Sequence, residues 1–299
     1  MAFEIVTRQK SKLRMALTGV SGSGKTLGAL YIAYGITQDW GKIALIDTEH
    51  ERARFYANRE DLGTGAFLYQ SMSAPFSPQR YKQMVAEGAQ AVGPDGVVII
   101  DSFSHVWNAE GGVLDIKDRI ARDPKQNSYT AWNEAGKEQS SLVNTVLAVN
   151  AHTIVTMRSK MAYELQEDDK GKKKPVKMGL APVQRDDTEY EFDIVLDIGR
   201  DHIAVASKDT TFLDKFGQII TPDLGQQLAA WLDDGVEPPP KPICSVCGGA
   251  ITPTKKHTVQ QVIDGTNKAY GVQMCASCAA ERAKADKEAE QQAADEAQE

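Results

Sequence analysis

The sequence predicts an α/β fold in which a mainly parallel sheet is flanked by helices, with a small C-terminal module appended. Three observations predict it. Short apolar runs rich in β-branched residues alternate with stretches of helical spacing, the pattern of βαβ units. A glycine-rich turn joins the first apolar run to the first helical stretch. Two Cys-x-x-Cys pairs follow a run of prolines near the end of the chain.

Composition bounds the answer. A chain of 299 residues suits about two domains, and 41% apolar with 25% charged residues is ordinary for a globular protein. A formal charge of −7 argues against a uniformly basic coat, though it permits a local basic patch. The opening MAFEIVTRQKSK lacks the apolar stretch of a signal peptide. No run approaches the roughly 18 apolar residues that span a bilayer. The expectation is a soluble, cytoplasmic chain with no membrane partner.

In order, residues 1–11 read as an arm and 12–235 as the α/β core. The apolar run from Leu13 is a buried strand, and the run from Leu27 is a helix. Lys42–Glu49 is a second apolar run ending in acids, and Glu51–Glu60 is helical in composition. Ala66–Gln70 is a short strand, Pro78–Val92 a helix and Gly96–Asp101 a third buried strand. Gly111, Gly112 and Pro124 break 104–130 into a long loop with a little helix. Ala131–Asn150 returns to helical spacing, and His152–Met157 is a fourth strand. Residues 158–185 are charged and aperiodic and read as a long loop, a feature that is usually functional or disordered. Phe192–Ile198 and His202–Lys208 form an antiparallel hairpin around Gly-Arg-Asp. Asp223–Leu232 is a closing helix with Asp223 as N-cap. The proline run makes 236–243 a stiff linker, 244–278 is the cysteine module, and 279–299 is a charged, Ala/Glu-rich tail.

The chemistry begins at Gly19-Val-Ser-Gly-Ser-Gly24-Lys25-Thr26, a complete G-x-x-x-x-G-K-[ST] phosphate loop between strand and helix. Gly19, Ser21, Gly22, Ser23, Gly24 and Leu27 offer the backbone that curls around phosphate oxygens at a helix N-terminus. Lys25 reaches the β/γ-phosphates, and the Thr26 hydroxyl ligates Mg²⁺. The chain therefore binds a nucleoside triphosphate. Asp101, at the carboxyl end of an apolar strand, is placed to serve the metal directly or through water. No acid follows it, so the general base comes from elsewhere. Glu49, just past the neighbouring strand, is the candidate; its alternative is a loop acid paired with Arg52 or Arg54. Asp47 either assists the metal or caps the next helix.

The segments TGVSGSGKT, ALIDTEHERARFYA and VVIIDSFSH, followed by a strand and a basic loop, resemble a RecA-like recombinase core across about residues 12–233. The likeness is greatest to the short phage-encoded ATPases of single-strand annealing and recombination, and PVQRDDTEYEFDIVLDI resembles that family too. The resemblance implies an ATPase with Glu49 as catalytic glutamate, stimulated by single-stranded DNA. It also implies a ring or filament of identical subunits with ATP between protomers. Lys208 matches the late-strand cation that contacts the neighbour's phosphate; otherwise it is an exposed strand-end lysine. A single-strand binding protein is a further implied partner. Many such cores carry Gln at the end of the fourth strand, where this chain has Arg158, a candidate to replace it. The two loops facing DNA would be 104–130 and 158–185. The second carries Arg158, Lys160, Lys172, Lys173, Lys174, Lys177 and Arg185, and Trp107, Tyr129 and Tyr163 would stack on bases. His105 is read as structural.

Cys244, Cys247, Cys275 and Cys278 offer four thiolates for tetrahedral Zn²⁺, with a β-hairpin between the pairs (Val259–Ile263, Asp264-Gly265, Tyr270–Met274) giving a zinc ribbon. Whether it meets DNA or protein is open. The rival readings are a helicase or helicase loader, and a nucleotide-gated protein-binding or assembly switch.

Overall fold

A computed structural model describes residues 5–122, 127–167, 173–237, 242–246, 251–254 and 256–296, with only the backbone described for 161–167, 173–180 and 287–296. The chain divides into two compact units, Met1–Val236 and Glu237–Glu299.

The first unit opens with β1 (Arg14–Gly19), α1 (Lys25–Thr37), β2 (Ile43–Asp47), β3 (Leu68–Ser71), α2 (Pro78–Val92) and β4 (Val97–Asp101). It continues through α3 (His105–Asn108), α4 (Val113–Ala121), α5 (Ser128–Ala148), β5 (His152–Glu167) and β6 (Lys173–Pro182). It closes with β7 (Ile194–Ile198), β8 (Ile203–Lys208), β9 (Gly217–Ile219) and α6 (Pro222–Asp233). The sheet order is β3-β2-β4-β5-β1-β7-β8-β9. The pairs from β3 to β7 are parallel, and β8 and β9 close one side antiparallel. The mainly parallel sheet expected from the alternating pattern is the one observed.

Period-two alternation explains why the central strands read as continuous apolar runs. On β1, β2 and β4, Met15, Leu17, Ile43, Leu45, Val97 and Ile99 enter one core, with α1 and α6. Their neighbours Ala16, Ala44, Ile46, Val98 and Ile100 enter a second core, with α2 and α5. Both faces are covered, so both sets are apolar. Each large side chain so buried contributes roughly 1.5–3 kcal/mol. On the first face α1 and α6 touch backbone to backbone. A methyl on Gly35 would lie 2.0 Å from the Pro222 carbonyl oxygen, and one on Gly225 would lie 2.2 Å from that of Ile32.

Register positions the site. Asp47 pairs with Asp101, and Gly19 pairs with Arg158 on one side and Ile198 on the other. The phosphate loop, both strand-end acids and Arg158 therefore share the carboxyl edge of the sheet, where ligands bind in open α/β folds.

At the opposite edge His152, buried, accepts the Leu13 amide hydrogen at Nδ1 over 3.0 Å. Burial, with Lys12 and Arg14 nearby, pushes His152 down to about 4 from 6.5. The unfolded chain thus takes up this proton first, so the contribution is complete above about pH 6.5 and is lost as pH falls toward 4. The limit is about 3 kcal/mol. Thermal unfolding of the wild type is expected to lose stability across that window faster than His152→Gln, and parallel pH profiles would refute the assignment.

Several local expectations are corrected. Residues 158–185 are largely an antiparallel hairpin: β5 runs on past the sheet and pairs with β6 from Ser159↔Pro182 to Glu167↔Lys173. Backbone pairing holds a segment whose charge hides any strand period. Residues 104–130 contain α3, α4 and the start of α5, with Asn127 capping α5 through the Thr130 amide at 2.8 Å. Glu51–Glu60 yields only short 3₁₀ turns, Arg52–Tyr56 and one starting at Glu60. The N-cap position of α6 is Thr221, and Asp223 lies in its first turn. The edge strand β9 had no sequence signal strong enough to place it.

The second unit differs from the ribbon expected. Where a β-hairpin was placed stands α7 (Val259–Tyr270), followed by α8 (Ala276–Glu296). The reason is a capping box: Thr258 Oγ1 accepts the Gln261 amide hydrogen and Gln261 Oε1 accepts that of Thr258. Among the described residues no helix is long and apolar enough to cross a membrane.

Candidate functional site

The phosphate loop lies between β1 and α1. Gly22 and Gly24 have φ of +80° and +93°, a region that penalises any Cβ. A Cβ on Gly19 would lie 2.5 Å from the Ile198 carbonyl oxygen. Lys25 is buried, and its ammonium donates to the Gly19 and Val20 carbonyls at 2.9 and 2.8 Å, closing the loop around its own cation. Burial lowers the Lys25 pKa, opposed by Asp101 and Glu49. Ser21 and Gly22 of the loop are exposed, Leu27 is half-buried on α1, and Ser23 is buried.

Asp101 is buried at the end of β4 and accepts from Thr26 Oγ1 and Thr156 Oγ1, both at 2.5 Å. Burial raises its carboxyl above the usual range, and these two hydroxyls oppose the rise. A carboxylate and a hydroxyl converging at the loop's mouth form an oxygen donor set suited to Mg²⁺. Thr26 and Asp101, called from sequence for the metal, are together. Thr156 was not foreseen.

Glu49 stands beside them, fixed through its backbone. The buried Asp47 carboxylate accepts the Glu49 and Ala53 amide hydrogens at 2.6 and 3.0 Å, and Tyr69 donates to it at 3.2 Å. Of the two roles open to Asp47, capping is the one its bonds describe. The Glu49 side chain is gripped by Arg158, with Nε to Oε1 at 2.7 Å and a second guanidinium nitrogen on Oε2. Burial alone would raise the Glu49 carboxyl, but the hydrogen bond and charge of Arg158 outweigh it and pull it below the ordinary range. Its partner is thus Arg158, and neither Arg52 nor Arg54. His105 is half-buried, with Nδ1 2.7 Å from Thr48 Oγ1. A cleft of about 340 Å³ joins the loop, Glu49, Asp101 and Arg158 to Arg52, Phe55 and Tyr56; the sequence assigns no role to Phe55 or Tyr56.

Arg158 is also the residue at which β5 leaves the sheet. Its amide donates to Ser104 Oγ at 2.9 Å, and its carbonyl accepts from Val183 at 2.6 Å. Gln184 donates to the Phe103 carbonyl at 2.8 Å and accepts from Gln139 at 2.9 Å. The hairpin base is therefore bonded to the two residues that follow Asp101-Ser102. Lys160 and Arg185 are exposed near that base. Lys173, Lys174 and Lys177 are on β6, and Lys172 lies outside the described residues. On the helical side, Trp107 stacks on Trp132 with centroids 6.3 Å apart, and the Lys117 ammonium sits 5.1 Å over the Trp132 ring. Tyr129, three residues before Trp132 on α5, is exposed.

Lys208 does not join this constellation within one chain. It pairs with Val195, toward the far end of β7 from Ile198 and the phosphate loop, and its ammonium donates to the Tyr190 carbonyl.

In the second unit the sulfurs of Cys244, Cys275 and Cys278 lie within 4.8 Å of one another. Three thiols so close, one of them buried, fit a tetrahedral soft-metal site such as zinc. Cys247 lies outside the described residues.

A family model described as AAA domain matches residues 11–221, which covers the phosphate loop, Glu49, Asp101, Arg158 and the β7–β8 hairpin. No curated protein matches the chain.

Proposed function

The chain belongs to the AAA domain family, and from that premise we propose that it is an ATPase coupled to single-stranded DNA, promoting annealing or strand exchange in recombination. The observation that carries this reading is the double position of Arg158: it holds the Glu49 carboxylate and begins the basic hairpin. A polyanion drawn to the hairpin competes for the same guanidinium, and a Glu49 released from it is a stronger base. The stacked Trp107–Trp132 pair and exposed Tyr129 add a sequence-tolerant surface for bases.

In hydrolysis the phosphate loop and Lys25 hold the triphosphate; Thr26 and Asp101 would hold Mg²⁺, which would supply positive charge against the phosphate oxygens. Glu49 takes a proton from water as the water oxygen bonds to the γ-phosphorus and the bond to the bridging oxygen breaks, giving ADP and phosphate. ATP between protomers of a ring or filament, with Lys208 reaching a neighbour's nucleotide, belongs to the same proposal. So does a structural zinc on Cys244, Cys247, Cys275 and Cys278.

The test is steady-state ATPase with and without single-stranded DNA at two salt concentrations. Stimulation that weakens with salt is expected. Arg158→Ala is expected to raise the DNA-free rate roughly tenfold, a figure kept modest because Arg158 is partly exposed, and to bring the stimulation ratio toward one. A wild-type rate indifferent to DNA would overturn the coupling and favour a nucleotide-gated protein-binding switch.

A further inference from the structure

One contact to the phosphate loop comes from none of the residues so far given a role. His202, in the turn between β7 and β8, places Nδ1 3.0 Å from the Ser23 carbonyl oxygen. A carbonyl only accepts, so Nδ1 carries the hydrogen. The same nitrogen would lie 3.2 Å from a Cβ built on Gly24, so the ring is packed against the loop at this point.

His202 is held there in a costly backbone conformation. Its φ is +66°, in the left-handed region that residues other than glycine enter at a penalty. The turn is tied together around it: Gly199 donates to the Ile203 carbonyl at 2.9 Å, and His202 donates to that of Gly199 at 3.1 Å. Strain of this kind persists where the surrounding structure over-determines it, and it clusters at ligand sites.

The geometry points to His202 as a positioning residue for the nucleotide, acting through the Ser23–Gly24 peptide. In a trans peptide the carbonyl and the next amide hydrogen point in opposite directions. Holding the Ser23 carbonyl outward, toward β8, fixes the Gly24 amide hydrogen inward, toward the phosphate cradle and the start of α1. Without the ring this peptide is free to rotate, and Gly24, lacking a side chain, offers little resistance. The cost would fall on binding of the phosphate chain and not on the hydrolytic step, because Asp101 and Arg158 stand on β4 and β5 and Glu49 just past the end of β2. This inference rests on the nucleotide-binding reading above and adds a residue to it.

The experiment measures ADP and ATP affinity by calorimetry, and KM and kcat for ATP, in wild type, His202→Gly and His202→Asn. Glycine keeps the turn conformation and removes the donor; asparagine tolerates that conformation and keeps an N–H. His202→Gly is expected to raise the ADP Kd and the ATP KM about three- to tenfold, the range for one hydrogen bond, with kcat within twofold. His202→Asn is expected to restore most of the affinity. A purely structural histidine would lower the thermal midpoint of the nucleotide-free protein and leave Kd unchanged, and that result overturns the proposal while leaving the ATPase reading intact. A wild-type chain that binds neither nucleotide would overturn both.

Discussion

Glu49→Gln is expected to slow ATP hydrolysis by about 10²–10⁴-fold while nucleotide affinity stays within a few-fold, the range for loss of a positioned general base. The substitution keeps the size of the side chain and removes its ability to accept a proton. The loop should hold its shape, since Asp47 bonds the backbone of residues 49 and 53 and touches nothing that changes. Lys25 keeps its bond to the Gly19 carbonyl and Thr26 its bond to Asp101, so neither position is disturbed. The Arg158 pair loses its charge and keeps a neutral amide contact. Rate and Kd measured side by side check this: more than a tenth of the wild-type rate surviving would place the base elsewhere, and a large loss of affinity would make Glu49 a binding residue.

The second large effect is expected in the C-terminal unit. Stripping metal with a chelator, or substituting Cys244→Ser, should unfold α7 and expose residues 242–278 to protease. Among the described residues its buried apolar set is Cys244, Ile251, Val262, Ile263 and Met274. At roughly 1.5–3 kcal/mol each, so few side chains cannot offset about 1–2 kcal/mol of backbone entropy per ordered residue. A structural zinc contributes on the order of 10–16 kcal/mol, enough to reverse that balance. The readouts are zinc content, circular dichroism and trypsin resistance before and after chelation. About one zinc per chain with loss of helix and resistance is the expected result; an unchanged spectrum and digest would leave the module standing on its own packing.

The physics divides cleanly between what is legible in a chain and what is not. Buried parallel strands are apolar on both faces, so β1, β2 and β4 announce themselves as unbroken runs, and Ser77-Pro78 opens α2 with a cap and a first-turn proline. The phosphate loop is local in sequence because its function is local: consecutive backbone groups wrap one anion. The capping box at Thr258–Gln261 was equally readable, and it outranked the Asp264-Gly265 turn on which a hairpin in the cysteine module was centred. The β5–β6 hairpin is the opposite case. Its residues are charged, its pairing is backbone to backbone, and nothing in its composition separates it from a loop.

By itself, the sequence determined the α/β class, the order of the main strands and helices, and the phosphate loop with acids at the ends of two strands. Only the tertiary structure decided which distant groups meet. Arg158 closes on Glu49 from 109 positions away, and His202 reaches Ser23 from 179. The first of these contacts exists because β5 sits between β4 and β1, and the second because β7 sits on the other side of β1. Strand order is set by the packing of whole faces against helices, a sum over many side chains that no short stretch of sequence carries.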